Sequence, residues 1–477
     1  MLISVRRRET GWPAFLRGFC MKAQGVIQMK RIFCLMLAGM LAATAMAQGG
    51  PGGVFPGDGE GNPGSGALPG GRAAAIEISG ATEIVQAAEM TGQSFVSDTE
   101  EECALRISTP QEVSITWPQV MKTGGSRGGD RCTFDGLNAA VLVMGGSTAT
   151  ITGGTVVSDA KGAGGVFCFG GNGGRSGVCG DGTTVVITGT KIVTSGEGSG
   201  GIITTGGGTT FADSLDVTTG AGSSPAIRSE RGGEVEVEGG SFTTDGPDSP
   251  AICAGADITA KNATLVSSLS EGVRMEGMNS VTREECSLTA NSTLYGGKAD
   301  FQQAVMICRP RGSGTDGGSA AFTMTGGSLT SLSGHMFHVT NTRAVITLSG
   351  VKLVNAGSDV LLSVCNDGWK GDGNTAELVA DGQLLSGEIL VGDNSTLKLT
   401  LKNGSSFRGC IGGRILNAKG EEVSRNVGLV DVTLEGGSTW TLTQDTFIAS
   451  FEGDPGRVTG DGHVLYVGGV ALEGIRR

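Results

Sequence analysis

Trp369 stands in the polar loop Asn366-Asp367-Gly368-Trp369-Lys370-Gly371-Asp372-Gly373-Asn374. An indole on such a loop is a stacking platform for a sugar ring, because it pairs an apolar face with a polar N–H. Asp367 and Asp372, with Asp381 nearby, add carboxylates that could hold Ca2+ together with loop carbonyls. The spacing matches no defined calcium loop. Trp369, Asp367 and Asp372 are therefore the expected ligand-binding residues, and Ca2+ is the only cofactor the chemistry suggests.

The densest charge elsewhere is Arg228, Glu230, Arg231, Glu234, Glu236 and Glu238. The acids at 234, 236 and 238 alternate, so in a strand all three project from one face, outward. This is a solvated strand or a weak cation or sugar site. Glu284 and Glu285, near Arg274 and Arg283, read the same way. His335 and His338 are three apart, which in a strand sends them to opposite sides, and no metal site is assigned. With three histidines and no G-x-S-x-G elbow, no Ser-His-Asp site is assigned either. No glycine run leads into Gly-Lys-Ser/Thr and a helix, so phosphate binding is not expected. No catalytic residue is named.

These side chains need a scaffold, and the composition indicates which one. The chain has 477 residues, of which 86 are glycine, about 18% against a usual ~7%. Twelve prolines and no G-x-y period exclude collagen. Glycine costs a helix about 1 kcal/mol per position, which excludes a long helical protein. Hydrophobic residues at 38% argue against wholesale disorder.

From Ala139 onward a unit recurs: an alternating strand, a Gly or Asn corner, a second short strand, a polar turn and a third apolar pair. Examples are EVEVEGGSFTTDGPDSPAI and AFTMTGGSLTSLSGHMF. Equivalent apolar positions fall at Ile192, Asp216, Phe242, Leu265, Leu288, Leu329 and Leu353, at intervals of 24, 26, 23, 23, 41 and 24. Asp216 breaks the apolar rule with Leu215 and Val217 beside it, which leaves the register there open by one residue. A period near 24 with three strands predicts an all-β fold, a single-stranded right-handed parallel β-helix. Inward ladders of Val, Ile, Leu, Phe and Met alternate with outward Thr and Ser, and each corner consumes glycine. A β-sandwich would space its strands at about 8–12 residues and a propeller would repeat at about 40; neither matches. The 36 residues from Val156 to Ile192 and the interval of 41 mark insertions near 158–184 and 308–320. Loops of this kind are where solenoids build binding surfaces.

Segments such as Ser224-Pro225-Ala226-Ile227-Arg228-Ser229, Asp248-Ser249-Pro250-Ala251-Ile252, Phe322-Thr323-Met324-Thr325-Gly326-Gly327-Ser328-Leu329-Thr330 and Ser438-Thr439-Trp440-Thr441-Leu442 carry a resemblance. Over about 330 residues, Asn138 to Gly469, the chain resembles secreted β-helical adhesin-like proteins of gut anaerobic bacteria. These are similar in turn to autotransporter passengers and to the pectate-lyase-like superfamily. The resemblance implies an extracellular or cell-surface location and a part in adhesion. The comparison with autotransporters is expected to stop at the passenger. The superfamily also implies the alternative of a polysaccharide lyase or glycoside hydrolase. Its galacturonan hydrolases carry Asn-Thr-Asp, Asp-Asp and Gly-His-Gly segments. Here Arg343 follows Asn341-Thr342, no Asp-Asp pair occurs, and His463 is followed by Val464. A binding or surface-structural role is the leading expectation, with host or microbial glycans or surface proteins as partners.

Met29 to Ala47 reads as a secretory signal: Lys30 and Arg31, an apolar run, then Ala45-Met46-Ala47. Translation is expected to start at Met29, and residues 1–47 are treated as leader. Residues 48–72 are a Gly/Pro-rich tether, 73–469 the β-helix and 470–477 a tail. Without residues 1–47 the net charge changes from -12 to -18, with 46 acids and 28 bases. Nucleic acid is an unsuitable partner for that surface. No second apolar run of 18 residues occurs, so no membrane span is expected in the mature chain. Nine cysteines follow the leader. Cys168 and Cys179, which flank a glycine-rich loop, are the one plausible disulfide. A secreted or surface-held monomer is expected.

Overall fold

In the strand Glu234–Glu238 the glutamates face outward while Val235 and Val237 are buried. The same alternation, repeated coil after coil, builds the molecule. The computed structural model describes residues 77–171, 179–293, 300–309, 318–366 and 374–477. Among these, strands feed three parallel sheets in rotation, of thirteen, fourteen and ten strands, and up to Lys352–Asn355 every third strand in sequence is a hydrogen-bonded neighbour. This is a parallel β-helix. Four short strands (Leu384–Ser386, Ser406–Arg408, Thr439–Thr441 and Val458–Thr459) carry the third face onward as a separate sheet.

The third sheet stacks Ile192, Val217, Phe242, Leu265, Leu288, Leu329 and Leu353 in one inward column. The open register is thus closed at Val217, and Asp216 turns outward to pair with Lys191 at 3.4 Å. Leu288 pairs directly with Leu329, so the 41-residue interval is one coil with insertions. The insertion expected near 158–184 is narrower, because Gly164–Phe169 is a strand of the first sheet. Long connections follow Phe169, Cys308 and Val364. Each runs from the first sheet to the second, and each includes residues outside the described set.

Every turn from the second to the third sheet contains a residue in the left-handed region. Gly239, Gly326, Gly350 and Gly382 occupy this place with φ of 57–64°, as do Ser214, Asn262, Glu285 and Asn403 with φ of 51–56°. At Gly327, which follows, a Cβ would lie 2.0 Å from the Cys286 carbonyl oxygen, so the backbones approach too closely for any side chain. Much of the glycine excess is accounted for by these corners.

Polar side chains repair the ladder where it lapses. Between Lys352–Asn355 and Leu384–Ser386 the third face changes sheets, and Gln383, only 1% exposed, bridges the lapse. Its Oε1 accepts from Val351 N at 2.7 Å and its Nε2 donates to Val351 O at 2.8 Å. Gln383→Leu would leave both backbone groups buried and unpaired, at about 1–3 kcal/mol. A urea melt should register that loss in its midpoint with the slope unchanged.

Residues 470–477, read from the sequence as a tail, close the last coil. Val470–Ala471 pairs antiparallel with Tyr466 and Val467, and Arg476 N donates to Val458 O at 2.8 Å.

Candidate functional site

Trp369, Asp367 and Asp372 lie outside the described residues, and nothing is assigned to them. Asp381, the outlying member of that set, is engaged locally. It accepts from Asn403 Nδ2 at 2.7 Å and pairs with Lys402 at 3.3 Å. The Cys168–Cys179 bridge is not formed: Cys168 is a buried thiol whose Sγ faces Thr209 O at 3.5 Å, while Cys179 is exposed. Strand alternation turns Cys168 into the core, where burial pushes its thiol up to about 12. His335 and His338 both reach Ser363 Oγ, at 2.8 Å each, so they share one side, contrary to the alternation argument. His335 is the first residue of its strand, at the corner, where simple alternation fails. Burial, with His338 beside it, lowers His335 to about 3, so it stays neutral at physiological pH. Among the described residues no group of three or more His, Cys, Asp or Glu is placed to hold a metal ion.

The acidic run divides between two faces. Glu234, Glu236 and Glu238 do project together from the second sheet, whereas Arg228 and Glu230 belong to the first. The outer face of the first sheet carries a column through Leu142, Phe167, Ile203, Arg228, Cys253, Arg274, Met306 and His338. At its N-terminal end the helix Asp130–Phe134 and Leu137 cover it, with Cys132 and Leu137 packed on Leu142, Phe167 and Ile203. Further along, Phe301 stacks on His338 with centroids 4.4 Å apart. Between these covers sits a charge network. Arg274 pairs with Asp248 at 2.6 Å and with Glu271, and Cys253 lies between the two arginines in the ladder.

Glu230 reaches over Gly255 of the next coil, where a Cβ would meet its Oε2 at 2.0 Å. Burial raises this carboxyl to about 7; Arg228 and Arg231 oppose the shift and Glu276 adds to it. Between pH 4.5 and 7 the folded chain keeps a proton that the unfolded chain has lost, so this carboxyl makes stability fall as pH rises through that window. Glu230→Gln should flatten the fall, which melting temperatures of both proteins from pH 4.5 to 8 would register. An unchanged pH profile would show that this carboxyl does not titrate there.

The second feature was not anticipated from the sequence. The first sheet ends at Ile411–Gly412, while the other two faces continue to Glu452 and Thr459. The chain then leaves in an antiparallel hairpin, Ile415–Leu416 with Glu422–Ser424. Ile415 is buried with Phe301 and Cys365, and Lys419 pairs with Asp300 at 2.5 Å, which fixes the hairpin against the outer face. A cleft of ≈ 520 Å³ opens beside it. The hairpin side contributes Arg414, Arg425 and Asn426; the later coil contributes Gln444, Asp445 and Phe447; Glu388, Leu390 and the backbone around Ile411–Gly412 also line it.

Neighbouring groups position most of these polar side chains. Glu422 accepts from Arg414 Nε at 3.2 Å through one oxygen and from Arg425 Nε through the other. These bonds, Arg425 first, hold the Glu422 carboxyl below the ordinary range. Gln444 Nε2 donates to Glu388 Oε1 at 3.0 Å, and Val464 N donates to Asp445 Oδ1 at 2.9 Å. Phe447, 49% exposed, lies parallel to Tyr466 with centroids 4.6 Å apart and planes within 6°. Exposed aromatic faces beside fixed hydrogen-bonding groups suit a sugar ring and its hydroxyls. The clue in the sequence was a lapse of period. Second-sheet residues Leu378 and Leu399 are 21 apart, but Leu399 and its partner Val432 are 33 apart.

No protein-family model, curated protein or solved structure matches this chain. The fold is assigned from its own strand order.

Proposed function

We propose that this chain is an extracellular, adhesin-like binding protein that recognises glycans, with the cleft beside the 415–424 hairpin as its site. The observation that carries the reading is the exposed Phe447 ring, stacked on Tyr466, next to positioned Glu388, Gln444 and Asp445. An aromatic face gives affinity for the apolar face of a sugar, and planar polar groups select its hydroxyls. Export by the signal at residues 29–47, with cleavage near Ala47 and a secreted or surface-held monomer as the product, belongs to the same proposal. So does the adhesin-like resemblance. A glycan array followed by calorimetry on the purified chain tests it. Retained glycan with weakened binding in Phe447→Ala supports the reading; capture of a surface protein with no glycan retained removes it.

One observation favours a polysaccharide-cleaving enzyme as second reading. Glu230, raised to about 7 beside Glu276, would serve as a general acid or base near neutrality. Release of reducing or unsaturated ends from a bound polysaccharide, lost in Glu230→Gln, would establish it.

A further inference from the structure

We infer that the cleft selects acidic glycans, binding a sugar oxyanion between Arg414 and Arg425; this rests on the glycan-binding reading and names its ligand class. Both arginines bond Glu422 through Nε. Each uses Nε to reach one oxygen of Glu422, so that carboxylate orients the pair while leaving their terminal amino groups unengaged. The side chains of Arg414 and Arg425 remain 73% and 81% exposed, whereas Glu422 is 26% exposed. Glu422 is thus the less exposed partner, and both arginines line the cleft. Paired N–H donors in a fixed plane match a carboxylate or a sulfate ester, which accepts two parallel hydrogen bonds.

The acids in the same cleft do not cancel this preference. Glu388 is engaged by Gln444, and Asp445 by Val464 N and by His463 at 3.7 Å. They stand ready for hydroxyls, away from the two guanidiniums' shared carboxylate. The chain's net charge of -12 does not decide the matter either. At physiological salt the Debye length is about 8 Å, so distant surface acids are screened from a ligand inside the cleft. The ligand is then an oxyanion-bearing sugar whose ring lies on Phe447.

Calorimetry with three forms of one oligosaccharide tests the inference: a uronate form, its carboxyl-reduced neutral counterpart and a sulfated counterpart. The wild-type chain should bind at least one acidic form tenfold or more tighter than the neutral form, and the arm that does so identifies carboxylate or sulfate as the group recognised. The double variant Arg414→Gln/Arg425→Gln should lose that preference and keep the neutral affinity. Phe447→Ala should weaken all forms together. Equal affinity for acidic and neutral forms would overturn the inference while leaving glycan binding intact. Failure to bind any form would overturn both. Because both arginines are surface side chains, the double variant should melt with the wild type, and an altered melt would move the comparison to the single variants Arg414→Gln and Arg425→Gln. Each of those variants should reduce the acidic preference in part, and an unreduced preference in both would count against the inference.

Discussion

Arg283→Met is expected to stabilise the protein, by about 1–4 kcal/mol. Arg283 lies on the inward side of the strand Ser280–Glu284, between Ala260 of the coil before and Met324 of the coil after, and is 0% exposed. Its Nη1 reaches the Met324 sulfur at 3.6 Å, Cys286 lies beside it, and its Nε and Nη2 have no hydrogen-bond partner. Burial pushes this guanidinium down to about 10, and Cys286 only partly opposes the shift. Lys122, also 0% exposed, is treated differently: its Nζ donates to Thr99 O at 2.7 Å and to Gly124 O. A charge whose desolvation is uncompensated costs more than its packing returns. Methionine fills most of the same volume and already occupies the next rung. Chemical denaturation of both proteins decides it, since a lower midpoint for the variant would mean that Arg283 has a stabilising partner.

Phe242→Ala is expected to cost about 3–5 kcal/mol, the range for deleting a buried aromatic side chain. Phe242 is 0% exposed in the inward column of the third sheet, between Val217 and Leu265. In a solenoid each coil is held by its neighbours, so the damage should be local before it is global. Hydrogen exchange should accelerate first in Asp216–Thr219, Ser241–Thr244 and Thr264–Ser267, leaving the strands near Trp440 protected. Uniform acceleration from end to end would show that the array unfolds as a single unit.

The repeat was legible because the coil is a local device. A valine or leucine every 23–26 residues, followed by a left-handed corner, defines both the stack and the turn. Asp216 marked the one ambiguous rung, and Val217 resolves it because a carboxylate cannot occupy the inward column beside Ile192 and Phe242. The inward turn of Arg283 was not legible, since alternation predicts a side but the charge argued for the other. His335 misled for the opposite reason: alternation was trusted at a corner, where the chain has not yet become regular.

The cleft was hidden for a different reason. Glu388, Arg414, Glu422, Arg425, Asp445 and Tyr466 are scattered over nearly eighty positions with no spacing that a motif could report. They meet because a hairpin replaces part of a coil where the first sheet stops. Only the stretched interval from Leu399 to Val432 reported that change. The buried network around Arg228, Cys253 and Arg274 is the converse case: three residues about one coil apart, each unremarkable alone, become neighbours through strand register.

Hydrogen exchange on the intact chain, with and without a glycan retained from the array, tests the site assignment most directly. The account predicts protection confined to Gly412–Arg414, Arg425–Val427 and Gln444–Phe447, the segments that line the cleft. Protection centred instead on Arg228, Glu230 and Cys253, or spread along the outer strands of the second sheet, would contradict it.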